Sequence, residues 1–257
     1  MPDMLSFSRK KPRHISTAEN ERIYAIGDIH GRYDLLRQLL NQIVEHFEQS
    51  RRDFDTVRLL FLGDIVDRGP ASKEVLGLIE RLVRKAGATL ILGNHEDLML
   101  RSAQGDQFAQ DLWLENGGLQ TLESFEIDPP REHEDAVDFG ERLTRMLPER
   151  FLSLLAEAPT HFESGHYYFV HAGVRPGVQL KKQTDFDKFF IRDEFTSSTQ
   201  WHGSMIVHGH SIVPAVEEQD NRIAIDTGAY KSGKLSCLCV QGTTRSIITA
   251  TLDPVSS

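Results

Sequence analysis

An α/β sandwich with a mixed sheet is the fold class this sequence predicts. Three observations lead there. Short apolar runs of strand length alternate with helical periodicity from Arg22 onward, a helix-prone charged stretch follows over about 97–159, and β-like runs return in the last third. A chain of 257 residues, 39% hydrophobic and 26% charged, can bury the core such layers need.

Met1 to about Asn20 is polar, with Arg9, Lys10, Lys11, Arg13 and His14 clustered. It has no apolar central region, so residues 1–20 read as a disordered basic tail rather than a signal peptide, and 21–257 as one domain. Ile23 to Ile26 reads as a strand ending at Gly27-Asp28. Leu35, Leu36, Leu39, Leu40, Ile43, Val44 and Phe47 then recur at helical spacing. Val57 to Leu62 reads as a buried strand and also ends in Gly-Asp. Val75, Leu76, Ile79, Leu82 and Val83 mark a second helix, with Gly87 where it should stop. Thr89 to Leu92 ends in Gly93-Asn94. Three times, a buried strand runs into glycine followed by a residue able to bind a metal. The stretch 97–159, broken by Gly117-Gly118 and Pro129-Pro130, reads as a helical cap or insertion. Strands are expected again at 167–170, 205–207, 223–225, 235–240 and 246–251.

Thirty-eight acidic against 29 basic residues give a net charge of −9, which argues against a protein that coats nucleic acid through bulk electrostatics. No run of about 18 apolar residues suggests a membrane span. Cys237 and Cys239 read as two small apolar residues on one strand face, because a disulfide between such near neighbours is strained. A reducing, cytoplasmic setting is the matching expectation.

Five segments concentrate the residue types that bind metals: Asp28-Ile29-His30, Asp64 with Asp67-Arg68, Asn94-His95-Glu96, His171, and His208-Gly209-His210. Taken singly, a histidine is usually a hydrogen-bonded bystander, an Asp after Gly is usually turn chemistry, and an Asp-Arg pair is usually a weak surface ion pair. Together, all at ends of expected strands, they would meet along one sheet edge, where open α/β sheets bind ligands. Carboxylate, imidazole and amide oxygen suit a borderline divalent ion such as Mn, Fe or Zn.

The strings GDIHGRYD, GDIVDRGP, GNHED, VHAG and HGHS resemble the signatures of calcineurin-like metallophosphoesterases, and GDxHG, GDxVDRG and GNHE resemble their PPP group. That group contains serine/threonine protein phosphatases and bacterial symmetrical diadenosine tetraphosphate hydrolases. The resemblance implies an α/β/β/α layered sandwich with mixed sheets and a helical insertion. It implies two divalent ions, Mn first among the candidates. Asp28 and His30 would bind one, Asp64 both, and Asn94, His171 and His210 the other, with His208 the competing choice for that last ligand. It further implies His95 as general acid oriented by Asp67, Arg68 and Arg192 as phosphate ligands, and Tyr230 lining the site. For Arg192 a pairing with Asp193 or Glu194 is the structural alternative, and for Tyr230 a packing role. The implied reaction is direct attack of a metal-bridging hydroxide on phosphorus with no phosphoenzyme.

Two substrates compete: phosphoserine or phosphothreonine in proteins, and a symmetrically cut dinucleoside polyphosphate. A nucleotide would need aromatic or arginine platforms, for which Trp113, Phe125 and Trp201 are available, with a place in the core as the alternative for each. The HAG string leans toward bacterial relatives. A decayed, non-catalytic binding protein is disfavoured because no ligand position is spoiled.

Overall fold

The apolar run before Gly27 forms β1 (Glu21–Ile26), buried along its whole length, and the periodic segment after it forms α1 (Tyr33–Gln49). These elements belong to a computed structural model that describes residues 14–50 and 54–252. The basic cluster Arg9, Lys10, Lys11 and Arg13 lies outside the described residues.

β2 (Thr56–Phe61) pairs parallel with β1, α2 (Ser72–Ala86) follows, and the two-residue β3 (Thr89–Leu90) pairs parallel with β2. α2 ends where the sequence places the stop, with Gly87 left-handed at φ 69°. β9 (Lys234–Gln241) and β10 (Thr244–Thr251) add antiparallel strands, giving a five-stranded sheet ordered β10-β9-β1-β2-β3. The second sheet uses β4 (His161–Ser164), β5 (Tyr167–Val170), β6 (Met205–His208), β7 (Glu217–Glu218) and β8 (Arg222–Ala224). Its order is β4-β5-β6-β8-β7, parallel at the centre and antiparallel at both edges.

Strand alternation sorts the side chains into layers. Ile23, Ala25, Leu60 and Leu62 face inward and meet Tyr167, Phe169, Val207 and Ile223 of the second sheet. Tyr24, Ile26 and Phe61 face outward against Leu36, Leu39, Leu76 and Ile79 of the two long helices. On the far side, Tyr168, Val170 and Ile206 pack against Ile191 and Phe195, the latter in α9 (Asp193–Thr196). The result is helix, sheet, sheet, helix, with two mixed sheets. Each buried aliphatic or aromatic side chain in these layers contributes about 1.5–3 kcal/mol. Cys237 and Cys239 are buried free thiols that pair in register with Ile26 and Tyr24.

The helix-prone stretch contains α3 (Asn94–Ala103), α4 (Gln107–Trp113), α5 (Leu119–Ser124), α6 (Ala136–Met146) and α7 (Glu149–Ala156). One departure from the sequence reading bears on the site. β3 stops at Leu90, and helix begins at Asn94 rather than near Asp97. Glu96, three residues after Gly93, accepts the Gly93 N–H at 3.0 Å and so starts the helix early. β4, α8 (Asp185–Phe190) and α10 (Ala229–Ser232) also went unread in the sequence. Among the described residues no helix is long and apolar enough to cross a membrane.

Candidate metal centre

Loops after β1 and β2, the first turn of α3, and the ends of β5 and β6 converge on one edge. They bring together Asp28, His30, Asp64, Asn94, His95, His171 and His210, all buried. Their backbones show what this convergence demands. His30, Asp64, Asp67, Arg68 and His210 all hold positive φ, between 46° and 71°. Non-glycine residues seldom adopt this region, and such strain gathers where a side chain must be aimed.

Asp64 lies at the middle. Its Oδ2 is 3.6 Å from His30 Nε2, and its Oδ1 is 3.3 Å from His171 Nε2. His30 Nδ1 is 2.9 Å from the Val66 carbonyl, and His171 Nδ1 is 2.7 Å from the Leu62 carbonyl. Donating Nδ1–H to a carbonyl leaves each Nε2 lone pair facing the cluster, the arrangement a metal-ligating histidine uses. Asn94 Oδ1 and His210 Nδ1 lie 2.9 and 3.2 Å from His171 Nε2. Two groups of ligand atoms, His30 with Asp64 and His95, and Asp64 with His171 and His210, each fall within 4.8 Å. Asp28 sits beside them, its Oδ2 accepting the His210 N–H at 3.0 Å.

The residues fit divalent cations on their own chemistry. Asp28 Oδ1 and His210 Nε2 are buried without a hydrogen-bond partner, a costly state that a bound cation would relieve. Burial, then the neighbouring His95, holds His30 well below the usual imidazole range. Burial likewise lowers His171 and His210. Burial would raise Asp64, but His171, His95, His30 and His210 outweigh it and hold the carboxyl far below the usual range. Burial, then Asp226 and Asp64, pushes Asp28 up.

Beside the cluster, His95 Nδ1 and Asp67 Oδ2 stand 2.6 Å apart, both side chains buried. Burial opposes a charge on His95, yet Asp64 and the Asp67 hydrogen bond prevail and raise it. The Arg68 guanidinium lies 3.0 Å from His30 Nε2 and 2.9 Å from His95 Nε2, and 4.9 Å over the Tyr230 ring. Tyr230 also meets the His30 ring edge-on at 5.2 Å. Arg192 is exposed and close enough to depress His171 and His210. Glu194 is bound by Arg175 instead. His208 stands apart from both ligand groups: its Nδ1 lies 3.0 Å from the Gly209 carbonyl, its ring packs on Phe195, and burial drives it down to about 3. The aromatic residues offered as nucleotide platforms are wholly or partly buried. Trp113 and Phe125 are in the helical core, and Trp201 is half-buried against the inter-sheet core.

Four residues have roles that the sequence reading did not assign to them: Glu96, Asp226, Trp113 and Thr121. Glu96 accepts the backbone N–H groups of Gly93, Asp64, Ile65 and Val66, tying the β2 turn to α3. Asp226 lies against Asp28, and burial lifts its carboxyl to about 6. It follows β8 in the string DTG, so the strand-then-acid rule could have found it. Trp113 and Thr121 donate to Asp67. Their sequence separations from it, 46 and 54 residues, left no local signal.

Comparison with known proteins agrees with this geometry. The family described as calcineurin-like phosphoesterase matches residues 21–233. The chain is 27% identical to the asymmetrical bis(5'-nucleosyl)-tetraphosphatase PrpE of Oceanobacillus iheyensis, over 84% of this chain and 87% of the relative. It is 28% identical to serine/threonine-protein phosphatase 2 of Escherichia coli, over 86% of this chain and 94% of the relative. A solved structure proposed to be a diadenosine tetraphosphatase superposes with a TM-score of 0.60 at 20% identity, covering 91% of this chain and 98% of that one, which speaks to the fold alone.

Proposed function

The chain belongs to the calcineurin-like phosphoesterase family, and on that premise we propose that it hydrolyses phosphoserine and phosphothreonine in proteins. The observation that carries the chemistry is Asp64, whose two oxygens face two separate histidine groups, as one carboxylate shared between two ions would require. Asp28 and His30 would hold one ion, Asn94, His171 and His210 the other, with Mn proposed ahead of Fe or Zn. When bound, the pair supplies Lewis acidity and an acidified water as nucleophile.

The chain's own residues supply the rest. Arg68, whose two terminal nitrogens here lie against His30 and His95 Nε2, is proposed to turn them to a phosphoryl oxygen, and a planar fork suits that anion better than an ammonium does. Arg192, exposed beside His171 and His210, is proposed as the second phosphate ligand, and Tyr230 as the wall behind Arg68. His95, held at Nδ1 by Asp67, faces Arg68 with its Nε2 here; with Arg68 turned to the phosphate and the ring protonated, Nε2 would give its proton to the departing oxygen. Free buried thiols at Cys237 and Cys239 support a cytoplasmic setting, and the net charge of −9 supports a discrete phosphorylated substrate over a nucleic-acid polymer.

The burial of Trp113 and Phe125 favours the phosphoprotein reading, since neither can stack on adenine. The second reading, a dinucleoside polyphosphate hydrolase expected to cut symmetrically, draws support from the tetraphosphatase relative, which is named asymmetrical. Comparing kcat/KM for phosphopeptides and diadenosine tetraphosphate on Mn-loaded protein decides between them. A preference for phosphopeptide above about tenfold, or 1.4 kcal/mol, is expected. The reverse preference overturns the proposal, and the products, two ADP or AMP with ATP, then give the position of the cut.

A further inference from the structure

Asp67 is wholly buried and carries more than its bond to His95. The Trp113 indole N–H reaches both its oxygens, at 3.0 and 2.9 Å, and the Thr121 hydroxyl donates to Oδ1 at 2.6 Å. Ser72 Oγ lies 2.8 Å from Thr121 Oγ1, and the Asp67 N–H meets these two hydroxyls at 3.0 and 2.9 Å. With Ser72 donating to Thr121, and Thr121 to Asp67, every proton in this chain has an acceptor.

Both donors lie on the helical insertion, on either side of a kink over Leu114–Gly118, between α4 and α5, where Asn116 and Gly117 leave helical geometry. The kink is shaped for the task. Gly118 lets the indole lie against the backbone, because a Cβ there would stand 2.7 Å from Trp113 Cδ2 and Cε2. Gly117, at φ 112°, directs its carbonyl to the Arg68 N–H at 3.1 Å, and the Asn116 carbonyl accepts Arg68 Nε at 3.3 Å. One kinked segment therefore touches both members of the Asp67-Arg68 pair. The kink brings Trp113, at the end of α4, and Thr121, in α5, onto one carboxylate.

We infer that Trp113 and Thr121 are positioning residues for the proton-donating histidine, fixing the Asp67 carboxylate so that Oδ2 faces His95 Nδ1. Held only by His95, that carboxylate could swing about its terminal torsion, which is broad for Asp. With the indole and hydroxyl in place, it has one orientation, and the His95 ring takes its own from it. The inference rests on the role proposed above for His95, and its geometric half stands apart from any activity.

The test uses Trp113→Phe, which keeps an aromatic ring and removes the donor, with Thr121→Val and the hydroxyl-retaining Thr121→Ser. In the metal-free protein, the His95 Nδ1 proton is identified by NMR through its loss in His95→Asn. This downfield resonance, expected for a short charge-assisted bond, should shift or broaden in Trp113→Phe and Thr121→Val and return in Thr121→Ser. In the Mn-loaded enzyme, kcat/KM for phenyl phosphate should fall about tenfold, a fraction of the roughly 10²–10⁴ that a positioned acid supplies. The loss on p-nitrophenyl phosphate, whose leaving group needs little help, should be much smaller. An unchanged resonance, or equal loss on both esters, overturns the inference. An inactive wild type would refute the proposed function, and the resonance would still decide this point.

Discussion

Asp64 Oδ1 stands 3.3 Å from His171 Nε2, while the other oxygen of the same carboxylate faces His30. Substituting Asn keeps the shape and one acceptor but removes the charge shared by both sides. Asp64→Asn should therefore bind fewer than two ions per chain and lose at least about a hundredfold in kcat, more than the 10–100-fold typical of an outer partner. Titration calorimetry with Mn and steady-state kinetics measure the two effects. Near-normal turnover would sink the two-ion assignment.

His95 is raised by Asp64 and Asp67 against its burial, which suits a proton donor. His95→Asn should leave metal content intact and cost roughly 10²–10⁴ in kcat/KM on phenyl phosphate. The same change should cost far less on p-nitrophenyl phosphate. A matching loss on both would assign His95 to the metals, as its place among the ligand groups also allows.

Arg68 has two faces to its position. Its guanidinium would grip the phosphoryl group, yet it also lies 3.0 Å from His30 Nε2, a cation beside a proposed cation ligand. Arg68→Ala should lower kcat/KM by roughly 10–100-fold, the value of about 1.5–3 kcal/mol for a hydrogen bond to a charged group. Removing the like charge should leave Mn binding equal or tighter. Weaker Mn binding in the variant would mean that Arg68 supports the ligands instead.

These residues were legible for one physical reason. A buried strand is an apolar run, and glycine followed by a polar residue marks its end, so β1 and β2 announced Asp28 and Asp64 from local sequence alone. β4 escaped because HFES has no apolar run to mark it, and its first three residues are only partly buried or exposed. Asn94 was read at a strand end but opens a helix, since the acceptor that starts the helix is a side chain two positions on. Trp113 was left between stacking platform and core because a buried indole and an exposed one look alike in sequence. What distinguishes them here is Asp67, 46 residues away.

Glu96 carries the last prediction, and three of its four partners lie 30–32 residues away. Oε1 accepts from Ile65 at 2.8 Å and Val66 at 3.2 Å, and Oε2 from Asp64 at 2.8 Å and Gly93 at 3.0 Å. Burial, then Asp64, pushes this carboxyl up to about 7, while the backbone donors favour its ionised form. An amide in its place must point N–H at backbone N–H whichever way it flips. Glu96→Gln should accordingly cost about 1–3 kcal/mol of stability, the penalty for buried groups left unpaired. Either flip frees two N–H groups, those of Ile65 and Val66 or those of Asp64 and Gly93, so the turn that holds the positive φ of Asp64 would lose support. Mn affinity should then fall by roughly 10–100-fold although Glu96 itself touches no ion. Thermal unfolding and Mn titration of the variant check both halves. Reduced stability with unchanged Mn affinity would limit Glu96 to starting α3 and remove it from the aiming of Asp64.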